Sequence, residues 1–387
     1  MKKLLVVCEV FISDDGESTV SRSFNAILNE YRKHFDRVDV IGPSKNNTTI
    51  DNVKNVNGIY YWGTDLYSKK IKDRFKYLLF AKRSRLFFKS VFNVSQPDLI
   101  QFRVPSIFSF VAFDMLKNSE ARLTSYISGE WYSSFISNYN FIGNKIVAKI
   151  LDYKQLTIIK NTVSVSAGPQ VAEIYKKHNS IYPYFSTTHT CINRCHKPDD
   201  CLNLIFLGRL EGLKRVEDAI NSISILIDKY NLLRIKLNIY GDGKDRKRLE
   251  NLVFDLGLES NIIFHGYVNE VDVLEKAYIN SHFLVFPSIS EGTPKVLAEA
   301  MSFGVIPVAV RTTGSIRFII DHLSNGILVD AYSPAAIARE INHLCNNIEE
   351  MNTIRNNCYS YAESHTLNNE VTRMWEYIFR QYGEEIK

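Results

Sequence analysis

The sequence predicts an α/β protein built as two doubly wound, parallel-sheet domains facing one another across a cleft. Three observations lead there. The chain has 387 residues, a length that suits two domains of roughly 100–200 residues each. Short apolar runs alternate with helix-length amphipathic segments, the pattern of a parallel sheet covered by helices on both faces. The alternation breaks once, near residues 181–200, and then starts again.

The elements follow in order. Lys3 to Val10 is an apolar run closed by Ser13, Asp14, Asp15 and Gly16, and reads as a strand and its loop. Val20, Phe24, Ile27, Leu28 and Tyr31 recur at helical spacing between Thr19 and His34. Further strands are expected at Arg37 to Gly42, at Asp98 to Phe102 after Pro97, and at Leu123 to Ser128. Ile181 to Asp200 holds neither apolar period, so the boundary is put there, giving domains 1–190 and 191–360. Beyond it, strands are expected at Leu202 to Leu207, Ile235 to Tyr240, Ile262 to His265, Phe283 to Phe286 and Ile306 to Val310. Helices at Val216 to Tyr230 and Asp245 to Leu256 separate the first three of these strands. In the closing segment, 361–387, Val371, Met374, Trp375, Ile378 and Phe379 form a helical stripe that suits burial.

Composition narrows the function classes. Apolar residues make up 45% and charged residues 23%, a globular balance. Lys plus Arg number 47 against 42 for Asp plus Glu, and a net charge of +5 is too small for a dedicated nucleic-acid binder. The cations are concentrated between Lys69 and Lys89, where nine face a single acid, Asp73, among Phe75, Tyr77, Phe80, Phe87 and Phe88. Such a segment suits an anionic membrane surface, although its aromatic face could equally pack on a core. No window of 18 uncharged apolar residues and no signal peptide is legible. The six cysteines lack a disulfide framework, which together points to the cytoplasm, peripheral on the inner face of the membrane.

The most informative segment runs from Phe286 through Glu291-Gly292-Thr293-Pro294 into an apolar helix. Thr293 is expected to cap that helix and Pro294 to take its first position. A helix starting there directs its amide groups and positive dipole end out of the carboxyl edge of the sheet, where an anion can sit. Glu299 interrupts an otherwise apolar helix, so two carboxylates could accept hydroxyl groups from one extended ligand. Upstream, Gly208 and Arg209 follow a strand and Lys214 opens the next helix, a pair of cations able to clamp a diphosphate. Gly208 is expected to allow close backbone approach. Gly241 and Gly243 follow the second strand of this half and Gly266 the third, so three strand ends carry glycine loops on one edge.

In these residues the carboxyl half resembles the glycosyltransferases of family 4, over about residues 200–335. The resemblance implies the GT-B fold and retaining transfer of a sugar from a nucleotide donor, a UDP-sugar being favoured. It implies that Arg209 and Lys214 bind the donor diphosphate, with Glu291 at the reacting end of the sugar and Glu299 on the ribose. Glu291, Arg209 and Lys214 are thus the candidate catalytic residues. Gly208, Gly241, Gly266, Gly292, Thr293, Pro294, Lys295 and Val296 complete the candidate donor site. It also implies that the closing helix packs back on the amino domain.

The amino half departs from the family. Its first loop, Ser13 to Ser18, has only Gly16, and Gly129-Glu130-Trp131 stands where a histidine is common. Gly16 and Glu130 are therefore candidates for contact with the acceptor or the sugar. The expected acceptor is a glycan on a lipid carrier for a bacterial surface polysaccharide such as O-antigen, capsule or exopolysaccharide. The alternatives are a membrane-associated scaffold without activity, or an epimerase or phosphorylase on the same fold. An NAD-dependent oxidoreductase is disfavoured, since no Gly-x-Gly-x-x-Gly follows the first strand. His189, Cys191, Cys195, His196 and Cys201 have zinc-ligand chemistry, but their spacing fits no regular finger, so no metal or cofactor is assigned.

Overall fold

The computed structural model describes residues 2–10, 12, 20–44, 53–64, 81–138, 143–198, 201–311 and 314–384, less the side chains of 81–84, 133–134 and 137–138. Gly16 and the 69–80 part of the basic segment lie outside the described residues. The chain divides into two compact units, Met1–Phe185 with Leu367–Lys387, and Ser186–Thr366.

The first unit holds an eight-stranded sheet in the order β3-β4-β2-β1-β5-β6-β7-β8. Its strands are β1 (Lys3–Val7), β2 (Arg37–Pro43), β3 (Lys54–Val56), β4 (Ile59–Thr64), β5 (Leu99–Val104), β6 (Arg122–Ile127), β7 (Val163–Ala167) and β8 (Ile181–Tyr184). Every adjacent pair is parallel except the β3–β4 hairpin. Leu4, Leu5, Val6 and Val7 are all fully buried, because helices cover both faces and alternation has no solvent side to serve. The helices are α1 (Arg22–Tyr31), α2 (Ala81–Ser95), α3 (Ile107–Leu116), α4 (Trp131–Asn138), α5 (Asn144–Lys160) and α6 (Pro169–Tyr175). On α2, Phe88 and Val91 enter the core while Arg85, Leu86 and Lys89 are exposed.

The second unit holds a six-stranded parallel sheet in the order β11-β10-β9-β12-β13-β14. The strands are β9 (Leu202–Leu207), β10 (Ile235–Tyr240), β11 (Ile262–Gly266), β12 (Phe283–Phe286), β13 (Ile306–Val310) and β14 (Ile327–Val329). A 3-10 turn at Gly212–Lys214 precedes α7 (Val216–Asp228), and α8 (Arg246–Asp255), α9 (Val271–Ile279), α10 (Lys295–Ser302), α11 (Ile316–Ile319), α12 (Pro334–Cys345) and α13 (Ile348–Ser364) follow. The chain winds outward from β9 in one direction and from β12 in the other. Their carboxyl ends therefore flank the crevice where doubly wound sheets bind ligands. The last helix, α14 (Leu367–Gln381), belongs to the first unit, where Trp375 meets Tyr31 and Phe35 edge-on at 4.9 and 4.8 Å.

Among the described residues, five strands escape the sequence reading: β3 and β4 of the hairpin, β7, β14 and β8. The last of these lies inside the stretch read as a linker. β8 reads Ile-Tyr-Pro-Tyr at the sheet edge, where a proline costs no ladder bond.

Candidate functional site

The carboxyl ends of β9, β10 and β11 are laced by backbone hydrogen bonds. Gly208 N–H donates to Tyr240 O at 3.0 Å, Leu210 N–H to Asp242 O at 3.0 Å, and Gly241 N–H to Gly266 O at 2.8 Å. Gly241 has φ +144°, and a Cβ there would lie 1.8 Å from the Gly208 carbonyl oxygen. One on Gly243 would lie 2.4 Å from Leu210 O. Gly208 itself could carry a Cβ at ordinary contact distance, 3.4 Å from Phe206. The backbone approach expected of Gly208 is thus real, but the residues that must lack a side chain are Gly241 and Gly243. Gly266, at φ +75°, has Arg246 beside it, and Tyr240 stacks on His265 at 4.2 Å.

The loop after β12 is sewn to the 3-10 turn after β9. Ile289 N–H and the buried Ser288 hydroxyl both donate to Leu213 O, at 3.0 and 3.3 Å. This places Lys214 against Glu291 in an ion pair whose side chains are only 18% and 12% exposed. The structure therefore brings together two residues 77 positions apart. Arg209 is largely exposed and pairs with Glu211 at 3.2 Å.

The helix start differs from expectation. Pro294, at φ −75° and ψ 103°, is the N-cap rather than the first helical residue, and no side chain caps α10. The Thr293 hydroxyl instead meets Ser315 Oγ at 3.5 Å. A residue before proline is driven from helical geometry, so Thr293 and Pro294 stay extended and the helix opens at Lys295. Lys295, Val296 and Glu299 lie half-buried on one side of α10, while Leu297, Ala298, Ala300 and Met301 are buried on the other. Among the described residues, no atom lies within 4 Å of where a Cβ on Gly292 would sit.

Glu299 has two partners that sequence reasoning missed. The Thr188 hydroxyl donates to Oε1 and the Tyr278 hydroxyl to Oε2, the latter over a long 3.4 Å. Neither has a local signal, since both lie far from Glu299 in sequence.

In the first unit Glu130 follows β6. Beside it, Gln155 Nε2 donates to Gly129 O at 2.9 Å and to the Tyr175 hydroxyl at 3.1 Å. Burial, and then the charge of Glu130, push the Asp152 carboxyl up from its ordinary pKa. Among the cysteines and histidines near the unit boundary, His189 bonds Ala362 O at 2.8 Å, and the Cys195 thiol faces the carbonyls of Phe303 and Ile279. Among the described residues, no helix is long and apolar enough to cross a membrane.

Residues 193–362 match the family described as Glycosyl transferases group 1. An uncharacterized glycosyltransferase of Methanocaldococcus jannaschii is 37% identical over 36% of this chain and 35% of its own length. The lipopolysaccharide 1,6-galactosyltransferase of Salmonella typhimurium is 29% identical over 36% of this chain and 38% of its own. The match thus spans little more than a third of each of these two relatives. Among solved structures, the lipopolysaccharide outer core galactosyltransferase WaaB in its apo form superposes with a TM-score of 0.69 at 16% identity, covering 98% of this chain and 100% of that one. Anabaena HepE in complex with UDP superposes with a TM-score of 0.67 at 14% identity, over 97% and 99%. The fold is GT-B: two Rossmann-like α/β units.

Proposed function

We propose that the chain is a retaining glycosyltransferase of family 4 that moves a sugar from a UDP-sugar to a lipid-linked glycan in the building of a bacterial surface polysaccharide. The observation that carries the reading is the ion pair of Lys214, on the turn after β9, with Glu291, on the β12 loop, followed by Glu299 on the outward side of α10, beside the β9–β12 crevice. The group 1 match covers all three residues, the relatives' names supply the surface-polysaccharide context, and HepE was solved with UDP.

On this reading the diphosphate lies at the amide groups of Lys295 and Val296, held by Lys214 and Arg209. Gly208, Gly241, Gly266 and Gly292 keep the approach clear of side chains. Glu291 accepts from a hydroxyl of the donor sugar, and Glu299 from the ribose. The bond from the anomeric carbon to the diphosphate breaks, the acceptor oxygen bonds to that carbon on the same face, and the acceptor proton passes to the departing phosphate oxygen. Lys214 and the end of α10 stabilise the departing charge, and positioning supplies the rest. The proposal includes no metal or cofactor. Glu130, with Gly16, is proposed on the acceptor side. Peripheral membrane contact on the cytoplasmic face is proposed through the segment from Lys69 to Lys89, supported by exposed Arg85, Leu86 and Lys89 on α2.

Thermal unfolding with UDP, GDP, ADP and CMP, free and as nucleotide sugars, tests the reading. A ligand at a hundred times its dissociation constant adds about 2.7 kcal/mol, a shift of several degrees. A shift with one base that is lost in Glu299→Ala, together with acceptor-dependent release of that nucleotide, is the expected result. No shift and no donor turnover would leave the scaffold reading, and sugar isomerisation without acceptor would favour the epimerase.

A further inference from the structure

This inference rests on the assignment of Glu299 to the ribose and concerns what holds that carboxylate. Thr188 donates to one of its oxygens and Tyr278 to the other. Each oxygen keeps a lone pair for a further donor, so the two contacts orient the group without filling it. A glutamate on a half-exposed helix face would otherwise sample several rotamers.

The two partners are themselves fixed. On either side of Thr188, the Thr187 hydroxyl meets His189 Nδ1 at 2.5 Å, and His189 Nε2 meets Ala362 O of α13 at 2.8 Å. Asn193 N–H then donates to Ser302 O at the end of α10, at 2.8 Å. Tyr278 is buried, with its ring stacked on Phe303 at 5.4 Å and 18°. Burial, and then the charge of Glu299, push its phenol pKa well above the ordinary value, so it remains a donor at any working pH.

We infer that Thr188 and Tyr278 are positioning residues that lock the Glu299 carboxylate in the orientation accepting both hydroxyls of a ribose, making the site selective for ribonucleoside over 2′-deoxyribonucleoside diphosphates. A locked carboxylate presents one oxygen to each hydroxyl of a vicinal pair. A ligand lacking the 2′ hydroxyl leaves one oxygen short of a donor, the situation that gives polar sites their discrimination. A carboxylate free to turn would serve the remaining hydroxyl and water alike, and the selectivity would fade.

The experiment is calorimetric titration of the full chain with UDP and 2′-deoxy-UDP, and with GDP and 2′-deoxy-GDP, for the wild type, Thr188→Val, Thr188→Ser and Tyr278→Phe. Wild type should favour the ribonucleotide by roughly tenfold to hundredfold, the worth of a hydrogen bond to an ionised group. The ratio should fall severalfold in Thr188→Val and Tyr278→Phe and return in Thr188→Ser. A merely structural role would weaken both nucleotides alike and leave the ratio unmoved, which overturns the inference. Wild-type discrimination that persists in both variants also overturns it, while leaving the donor-site reading intact. Equal wild-type binding of both sugars, or no binding of either base, removes the ribose assignment and this inference with it.

Discussion

The lacing of the strand ends makes Gly241 the position most sensitive to a single methyl group. Its φ of +144° is one that only glycine adopts readily, and an added Cβ would sit 1.8 Å from the Gly208 carbonyl oxygen. Holding a non-glycine residue in such a conformation costs about 1–3 kcal/mol, and overpacking against backbone costs roughly another 1–3 kcal/mol. Gly241→Ala should therefore lose about 2–6 kcal/mol, or roughly 5–20 °C of melting temperature for a unit of this size. Gly292→Ala is the matched control, because no atom of the described residues lies within 4 Å of its added methyl. It should leave stability within ~0.5 kcal/mol, yet weaken nucleotide binding if the β12 loop lies against the diphosphate. Thermal unfolding by circular dichroism and titration with UDP measure the two effects. Gly241→Ala melting within a degree of wild type would refute the account of the laced loops, and undiminished nucleotide affinity in Gly292→Ala would move the diphosphate away from that loop.

Two further predictions concern charge. Burial lowers the pKa of Lys197 to about 8 from 10.5, while its ammonium donates to Tyr278 O and Ile279 O at the end of α9. The unfolded chain then holds this proton more tightly, so stability should rise as pH climbs from about 8 to 10.5, by on the order of 3 kcal/mol from this group. Urea unfolding across that range should show the rise in wild type and lose it in Lys197→Met; an identical slope in both would exclude Lys197 as its source. Glu291→Gln should bind free UDP a few-fold more tightly, since Lys214 loses its carboxylate partner, while transfer slows by roughly tenfold or more. Isothermal titration beside a radiolabelled transfer assay separates the two, and weaker UDP binding would argue against the exchange of partners described below.

The strands at the centre of each sheet were legible because burial on both faces writes continuous apolar runs, as in Leu4 to Val7 and Phe283 to Phe286. Edge strands carry no such run. β14 has three residues and β8 contains Pro183, so neither shows a period. The β3–β4 hairpin did leave a signal: Asn57-Gly58, both at positive φ, is the two-residue turn that right-handed strand twist favours. In the site, the order of Gly208, Lys214, Gly241, Gly266, Glu291 and Glu299 could be read from the chain, since the first five follow a strand or open a helix and Glu299 interrupts an apolar one. Their pairings could not. Lys214 meets Glu291 across 77 positions because the strand order sets β9 beside β12, and Thr188 meets Glu299 across 111 because its segment is held against α13 and the end of α10.

Those pairings divide the site into two kinds of contact. Lys214 and Glu291 are opposite charges held largely away from water, where leaving either one alone is costly. On the proposed reading a donor relieves both at once: its diphosphate takes the ammonium and its sugar hydroxyls take the carboxylate, so compensation is exchanged rather than lost. A nucleotide without its sugar completes half of that exchange and strands Glu291, which favours the intact donor over the spent product. The pair of Arg209 with Glu211 is exposed and costs little to break. On the same reading Glu299 behaves differently, because Thr188 and Tyr278 are neutral donors that need not leave when a ribose arrives. One end of the ligand thus meets a contact that must open, and the other a group already oriented, which lowers the entropy lost on binding. Recognition of the nucleoside can then precede the opening of the ion pair at the reacting end.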